Sequence, residues 1–445
     1  MSTAPFFQQV LNSPRISAAT LLKALVTFEH VVYLQDVSCP TIVFQPEKYA
    51  VVKNQDIVFF EKNINNTYQA CTSALSEWLT FTSSNEVKKG FCGGYVGFVS
   101  YDFAAQQQVN VQTKKQPELF LGEFRQYLQY TTDGWTLFSQ LTDAKETYKF
   151  IEQCLQNTPA QADFILQHPL KARWEKSAYQ HAFQHVQDYI LAGDCYQINL
   201  TQEFVGQAQG SLLDCAEALW QLTDAPYAGY LRIDDLEILS CSPELFIEFA
   251  ENRKIITRPI KGTMPRYADP QLDEASKQQL IHSKKDQAEN LMIVDLLRND
   301  LSVYAEVGSV KTPKLFAIES FKQVHHMVSD VEATLKTDIN PFDVLMTALP
   351  GGSITGAPKI RAMQIIDELE GAPRGAYCGS MGYFNDDGSG AWNILIRSVQ
   401  KHQEQVSLWA GGGITIASDC DAEYQECFDK VEAILNLLNT WHKPE

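Results

Sequence analysis

The feature that most constrains the fold of this chain is a series of short strand segments at hairpin spacing. Residues 230–233 and 236–240 are separated by only two positions, and residues 255–260 form a further strand candidate. Such short connections join antiparallel neighbours. These strands are amphipathic, whereas the strands of a parallel sheet covered on both faces form continuous apolar runs. The pattern therefore predicts an α+β sandwich of mixed or antiparallel sheets rather than a doubly wound parallel sheet.

Helices are indicated where apolar residues recur every three or four positions. One such stripe begins at Tyr179 and is stopped by Gly193. Residues 284–299 and 358–370 predict two more helices, the second with Pro358 in its first turn and Gly371 at its end. Residues 424–438 predict a single last helix with one buried face.

The chain divides into two regions at a break near residues 156–171. Strand-like segments such as residues 31–34 and 42–44 precede the break, and the dense motifs follow it. Residues 104–118 contain several Gln and Lys residues and predict a polar loop. We expect an amino-terminal region over residues 1–160 and a catalytic region over residues 170–440.

The charge of the chain excludes several classes of partner. The 36 Lys and Arg residues against 54 Asp and Glu residues give a net charge of −18, which repels nucleic acid and anionic membranes. The sequence has neither a signal-peptide pattern nor an apolar stretch of about 18 residues. The ten cysteines form no C-x-x-C pair, so a zinc site is not indicated. We therefore expect a soluble, cytoplasmic protein.

Lys261 and Glu244 are the candidate catalytic residues. Lys261 lies in a segment of strand-turn character, where a lysine held away from water can lose its proton and become a nucleophile. Glu244 precedes it by 17 positions in Ser242-Pro243-Glu244 and can act as the acid. The functional interpretation requires that both side chains face one pocket.

Two predicted helices carry acidic residues three positions apart. Asp286 and Glu289 form one pair, and Glu423 and Glu426 form the other, with Lys430 four residues further on. This spacing puts each pair on one helical face. Mg²⁺ prefers oxygen ligands and takes one or two carboxylates together with water and substrate, so two facing helices would suit it. A solvated acidic face is the alternative for either pair.

Two glycine-rich segments could approach an anion closely. Residues 351–356 (GGSITG) precede a predicted helix, but Ala357-Pro358 replaces the Lys-Ser/Thr of a triphosphate-binding loop. Residues 410–414 (AGGGI) follow a predicted strand over residues 406–409. Arg397 ends a strand-like run and is a candidate carboxylate clamp, which Tyr377 and Lys430 could join. Either loop could instead be a simple turn, and Arg397 a charge at the rim.

These segments together resemble the family of chorismate-utilising enzymes. The resemblance covers nearly all of residues 175–432, and a weaker likeness lies at residues 91–97. It is carried by residues 242–244 (SPE), 288–301 (AENLMIVDLLRNDL), 352–359 (GSITGAPK), 374–379 (RGAYCG) and 423–426 (EYQE). It implies an αββα sandwich of two large sheets flanked by helices, the fold of anthranilate synthase component I.

The resemblance also implies a reaction. Family members that add water carry a lysine base where this chain has Gln197, so ammonia is the expected nucleophile. The anthranilate-forming members usually have alanine at the position of Lys261, whereas the members that aminate C4 have lysine. The Lys261 amine would attack C2 of chorismate while Glu244 protonates the departing C4 hydroxyl. Ammonia would then attack C4 and release Lys261, which gives 4-amino-4-deoxychorismate, a precursor of para-aminobenzoate and folate.

Further site residues follow from the same resemblance. Glu289 and Glu426 would hold Mg²⁺, supported by Asp286 and Glu423. The implied substrate-binding residues are Tyr377, Arg397, Lys430, Gly411, Gly413, Ser353, His326 and Gln197. Family members can also bind tryptophan, and Pro226, Tyr227 and Ala228 resemble a segment that borders that effector pocket.

The sequence does not indicate a glutaminase domain. Residues 90–94 contain a G-x-C-x-G pattern, but the matching H-x-E at residues 402–404 lies in a polar turn. Ammonia is therefore expected from a separate glutamine amidotransferase subunit. The alternatives are an anthranilate-forming enzyme and a non-catalytic homologue that binds tryptophan.

Overall fold

The computed structural model describes residues 6–36, 39–63, 66–82, 90–321 and 324–443. Its helices are α1 (Ala18–Ala24), α2 (Leu75–Trp78), α3 (Tyr101–Gln106), α4 (Ala144–Gln156), α5 (Lys176–Ala192), α6 (Leu213–Thr223), α7 (Pro270–Ile281), α8 (Lys284–Ser302), α9 (Pro341–Ala348), α10 (Lys359–Glu370), α11 (Cys420–Asp429) and α12 (Glu432–Asn439). Among these described residues, no helix has the length and apolar character that crossing a bilayer requires.

The strands are β1 (Phe7–Val10), β2 (Val31–Leu34), β3 (Thr41–Val43), β4 (Lys48–Lys53), β5 (Asp56–Lys62), β6 (Tyr68–Cys71), β7 (Gly94–Val99), β8 (Leu119–Phe124), β9 (Gln126–Thr131), β10 (Gly134–Ser139), β11 (Ile165–Leu166), β12 (Lys171–Ala172), β13 (Gln197–Gln209), β14 (Tyr227–Ile233), β15 (Leu236–Ser242), β16 (Leu245–Phe249), β17 (Lys254–Thr257), β18 (Ile260–Pro265), β19 (Lys311–Ser320), β20 (Val324–Thr334), β21 (Gly356–Ala357), β22 (Ser380–Asn385), β23 (Gly390–Asn393), β24 (Ser398–His402) and β25 (Gln405–Ile414).

Within the described residues these strands form two large antiparallel sheets. The first has the order β1-β10-β9-β3-β2-β14-β15-β24-β25-β13-β11, with β12 and β21 also paired to β13. The second has the order β18-β20-β17-β16-β23-β22-β7-β8-β4-β5-β6, with β19 paired to β20. The α+β class predicted from the hairpin-spaced strands is thereby confirmed.

The alternation of side chains along the strands explains how the layers of the fold pack. In β2, Val32 and Leu34 belong to an apolar cluster between the two sheets, together with Phe98 and Phe120 of the second sheet. The neighbouring residue Tyr33 instead joins a cluster that includes α1, α6 and α12. Because successive side chains of a strand point to opposite faces, each sheet packs on the other sheet through one face and on helices through its other face. The expected αββα sandwich is present.

Both halves of the sequence contribute to both sheets. Leu34 of β2 pairs with Gly229 of β14 in the first sheet. Gly97 of β7 pairs with Gly382 of β22 in the second sheet. The separation into an amino-terminal region and a catalytic region is thus a division along the sequence, which stays a prediction as a division of function.

Several local predictions were wrong. The last helix is two helices, since the chain leaves helical geometry at Val431, whose φ is −130° and ψ −1°. The glycine segment of residues 410–414 is part of β25 rather than a loop. The strand expected to end at Arg397 ends at Asn393. Residues 104–106 belong to α3, so the predicted polar loop is shorter than residues 104–118.

Candidate active site

Lys261 lies on β18, next to a register shift in its pairing with β20. The shift falls between Ile260 and Thr263, and Gly262 there has a φ of +83°. A Cβ on Gly262 would lie 2.9 Å from the carboxyl carbon of Asp286, so this turn requires glycine on two grounds. The irregular backbone brings Lys261 against α8, where its Nζ lies 3.4 Å from Oε2 of Glu289.

Glu244 is buried at the start of β16, with 7% of its surface exposed. Burial raises the pKa of its carboxyl group from 4.5 to about 7, because desolvation penalises the charged form. The Ile260 backbone N–H and the charges of Lys261, Lys430 and Arg397 act in the opposite direction. A carboxyl group in this balance still holds a proton near neutral pH, as an acid catalyst must.

The two acidic residues of α11 approach β25 at Gly412. A Cβ on Gly412 would lie 2.9 Å from Oε2 of Glu423 and 2.9 Å from Oε1 of Glu426, which explains why this strand carries glycine. Burial raises the pKa of Glu423, and the charge of Glu426 adds to this effect. Burial raises the pKa of Glu426, but the charge of Lys430 and its hydrogen bond outweigh this effect, so the pKa is lowered overall. Nζ of Lys430 and Oε1 of Glu426 are 2.6 Å apart.

Lysine side chains link the acidic residues of α11 and α8. Lys261 and Lys285 both lower the pKa of Glu426. They also pair with Glu289 on α8, Lys261 at 3.4 Å and Lys285 at 3.9 Å. In the described part of the chain, no three His, Cys, Asp or Glu side chains converge as a metal cluster. One carboxylate from each helix nevertheless suits Mg²⁺, which takes few protein ligands and only oxygen donors.

Arg397 and His326 line a cleft together with Pro226 and with Pro243, the residue that precedes Glu244. Arg397 has a φ of +50° where the chain passes from β23 in one sheet to β24 in the other. Burial lowers the pKa of Arg397. Nδ1 of His326 and the hydroxyl group of Thr263 share a hydrogen bond of 2.8 Å. Burial and the charge of Arg397 lower the pKa of His326 to about 4. The cleft wall therefore combines a buried cation with a neutral imidazole.

The remaining predicted substrate residues surround β25 and β13. Lys430 Nζ donates to the Gly411 carbonyl oxygen at 2.7 Å. The Gln197 side-chain amide covers Gly413, and its Oε1 is buried without a hydrogen-bond partner among the described residues. Tyr377 is buried and stacks on Trp409 at 5.8 Å, and burial raises its pKa. Gly411 itself packs against the Leu200 carbonyl oxygen of β13.

Ser353 and the predicted effector segment are less closely tied to this cluster. Ser353 is half-buried in a single turn of 3₁₀ helix over Gly352–Ile354. Tyr227 and Ala228 begin β14, where the Ala228 carbonyl oxygen accepts from the Gln35 N–H at 2.8 Å. Only Pro226 of the effector segment lines the cleft that contains Arg397.

Two features were missed in the sequence. Lys285 could have been found, because it precedes Glu289 by four positions on a predicted helix. Arg374 is 1% exposed and forms a buried pair with Glu370. Its guanidinium also donates to the carbonyl oxygens of Asn199 and Ile354. It thereby ties β13 and the loop after α9 to the segment that carries Tyr377, and no sequence pattern indicated this.

The sandwich fold is shared with the solved structure of an anthranilate synthase component I, and the sequence match agrees with it. A family model described as chorismate binding enzyme matches residues 29–436. The chain belongs to this family and is a chorismate-utilising enzyme.

Among its relatives, aminodeoxychorismate synthase component 1 of Salmonella typhimurium is 42% identical over 368 residues, which cover 81% of this chain and 80% of that protein. Aminodeoxychorismate synthase of Streptomyces griseus is 41% identical over 274 residues, which cover 61% of this chain but 38% of that protein. The solved structure of anthranilate synthase component I from Streptococcus pneumoniae superposes with a TM-score of 0.76 at 25% identity, and the match covers 89% of this chain and 92% of that one.

Proposed function

We propose that this enzyme aminates chorismate at C4 and produces 4-amino-4-deoxychorismate. The observation that carries the proposal is the electrostatic coupling of Lys261 to the buried acid Glu244, whose pKa burial raises to about 7 against the opposing charge of the lysine. A lysine there offers a nucleophile that an anthranilate-forming enzyme does not need, because such an enzyme aminates C2 directly. The similarity to aminodeoxychorismate synthase component 1 supports the same choice.

The first step forms a covalent intermediate. The neutral amine of Lys261 attacks C2 of chorismate, both ring double bonds shift, and the C4 hydroxyl leaves as water with the proton of Glu244. The Lys261 amine lies 3.4 Å from Oε2 of Glu289, which can accept the proton that the lysine must lose before it attacks. The proton released by the new secondary amine passes to the surrounding carboxylates.

In the second step ammonia attacks C4, and the bond between C2 and Lys261 breaks as the double bond returns. The amine of Lys261 leaves with one proton from the incoming nitrogen. Gln197 has an unpartnered buried Oε1, and an amide oxygen can accept a hydrogen bond from ammonia without activating water as a base. This supports ammonia as the nucleophile.

Substrate binding combines cationic and anionic surfaces. We propose that Glu289 and Glu426 hold Mg²⁺, with Asp286 and Glu423 in support through water. The ion would neutralise the ring carboxylate of chorismate when bound. Arg397 and Tyr377 would hold the enolpyruvyl carboxylate, and Lys430 with the backbone of residues 411–413 would complete the anion pocket. Ser353 and His326 would line it.

Ammonia is proposed to come from a separate glutamine amidotransferase subunit. The name component 1 of the relative implies a second component. All of the proposed site residues lie between residues 197 and 430, which supports a catalytic region over residues 170–440. Residues 1–160 would then form an amino-terminal region that completes the two sheets. Buried thiols such as Cys215 and Cys378 suit a reducing cytoplasm.

The test is a product analysis. The purified chain is incubated with chorismate, Mg²⁺ and ammonium chloride, and the products are separated by liquid chromatography. We expect 4-amino-4-deoxychorismate from the wild type. Lys261→Ala is expected to lose that product and to divert residual activity to fluorescent anthranilate, because C2 is then open to ammonia. Anthranilate as the main wild-type product, or an unchanged product from the variant, contradicts the proposal.

A further inference from the structure

An exposed apolar row crosses the surface beside the candidate active site. Tyr196 is 72% exposed, Ile416 56% and Ile360 45%, and Pro358 is also exposed. We call Ile416, Tyr196, Pro358 and Ile360 the apolar row. Large exposed side chains scattered singly are ordinary, but several of them gathered at one end of a sheet mark a surface that another molecule covers.

The strand pairing brings the members of the row to one end of β13. β13 pairs Ile198 with Ile414 of β25 on one side. It pairs Gln197 with Ala357 of β21 on the other side. Tyr196 directly precedes Gln197, and its N–H donates to the Ala357 carbonyl oxygen at 2.8 Å, so it lies beside Pro358. Ile416 lies in the turn that follows the end of β25.

The apolar row is adjacent to the candidate active site. Tyr196 directly precedes Gln197, whose side chain covers Gly413 within the site. An ion pair between Asp194 and Arg361, at 2.9 Å, gives the row a polar border. An apolar centre with a polar rim is the usual composition of a protein interface, and exposed tyrosines often dominate the binding energy there.

We propose that the apolar row is the docking surface for the glutamine amidotransferase subunit. This inference rests on the proposed function and extends it to the place of contact. Ammonia that escapes to water is protonated and loses its nucleophilic lone pair, so its source must close over the edge of the site. Gln197, the proposed acceptor for ammonia, lies at that edge.

The lengths of the relatives favour a protein partner over a second copy of this chain. The match occupies 38% of the Streptomyces griseus protein, so that polypeptide has room for another functional unit fused to the same enzyme. Where the unit is separate, a surface must replace the covalent link. The row, with its polar border, offers such a surface.

The experiment compares Tyr196→Glu and Ile416→Glu with the wild type. The control is Val307→Glu, since Val307 is fully exposed on a turn outside the row. The probe is the purified glutamine amidotransferase subunit of the organism that produces this chain. Affinity is measured by titration calorimetry, and amination of chorismate is measured once with ammonium chloride and once with glutamine plus that subunit.

We expect both row variants to keep the ammonium-dependent rate within twofold, which also shows that they fold. Their affinity for the subunit should fall by at least about 30-fold, and the glutamine-dependent rate should fall with it. The control should match the wild type in all assays. Unchanged affinity in the row variants overturns the docking surface, as does loss of a wild-type homodimer in those variants by size-exclusion chromatography. A wild type that makes no 4-amino-4-deoxychorismate with ammonium overturns the proposed function instead.

Discussion

Replacing Glu244 by glutamine should stabilise the protein while removing its activity. Glutamine is nearly isosteric with the protonated carboxyl group but has no ionised form. The pKa of Glu244 rises from 4.5 to about 7 on folding, so ionisation is more costly in the folded than in the unfolded state. At about 1.4 kcal/mol per pKa unit, the difference corresponds to about 3 kcal/mol once both states are ionised.

Because folding raises the pKa of Glu244, its contribution to the free energy of unfolding depends on pH in one direction. A group whose pKa is raised on folding favours the folded state below the unfolded pKa, and this contribution is lost as the pH rises through the folded pKa. For Glu244 the loss therefore runs from about pH 4.5 to about pH 7. Relative to wild type, Glu244→Gln should gain about 1 kcal/mol in free energy of unfolding at pH 5.5 and about 3 kcal/mol at pH 8.5.

Urea unfolding followed by tryptophan fluorescence at the two pH values measures this difference. Glu404→Gln, at an exposed turn position, is the matched control and should show no pH-dependent gain. The rate of amination in Glu244→Gln should fall by about 10²–10⁴-fold, because the leaving hydroxyl loses its proton donor. A gain that does not grow with pH, or a variant destabilised at pH 8.5, would refute the buried protonated acid.

Three further predictions concern the surroundings of the site. Gly412→Ala should weaken Mg²⁺ binding in calorimetric titration, since its Cβ would lie 2.9 Å from Oε1 of Glu426; an unchanged affinity would argue against the metal site. Lys285→Met should strengthen Mg²⁺ binding in the same titration by removing a competing cation, and weaker binding would contradict this. Arg374→Met should lower the free energy of unfolding by about 3–5 kcal/mol, because Glu370 is left buried and unpaired. Adding Glu370→Leu should recover most of that loss, and an equal loss in the double variant would show that the charge pair is not the cause.

The layer architecture was predictable because local rules agree with the tertiary structure. Gly193 and Gly371 end α5 and α10 in the left-handed conformation, as the sequence indicated. The hairpin spacing of β14 and β15 is also retained as an antiparallel pair. These features depend on residues close in sequence, so a single sequence contains the information.

Features that depend on distant contacts were not predictable. The apolar stripe continues past Lys430 because Val431 remains buried, although the helix is interrupted there. Gly412 lies in a strand rather than a loop because α11, which follows β25 in sequence, folds back over it with its carboxylates. The connection of Lys261 to both acidic helices likewise arises from the packing of β18 against α8, which no local pattern records.

The most direct test of the account is mass spectrometry of the enzyme quenched with chorismate and Mg²⁺ in the absence of ammonia. We expect an adduct with the mass of chorismate less one water, located on the peptide that contains Lys261 and absent from Lys261→Ala. Efficient C4 amination by an enzyme that never forms this adduct would contradict the covalent role of the lysine.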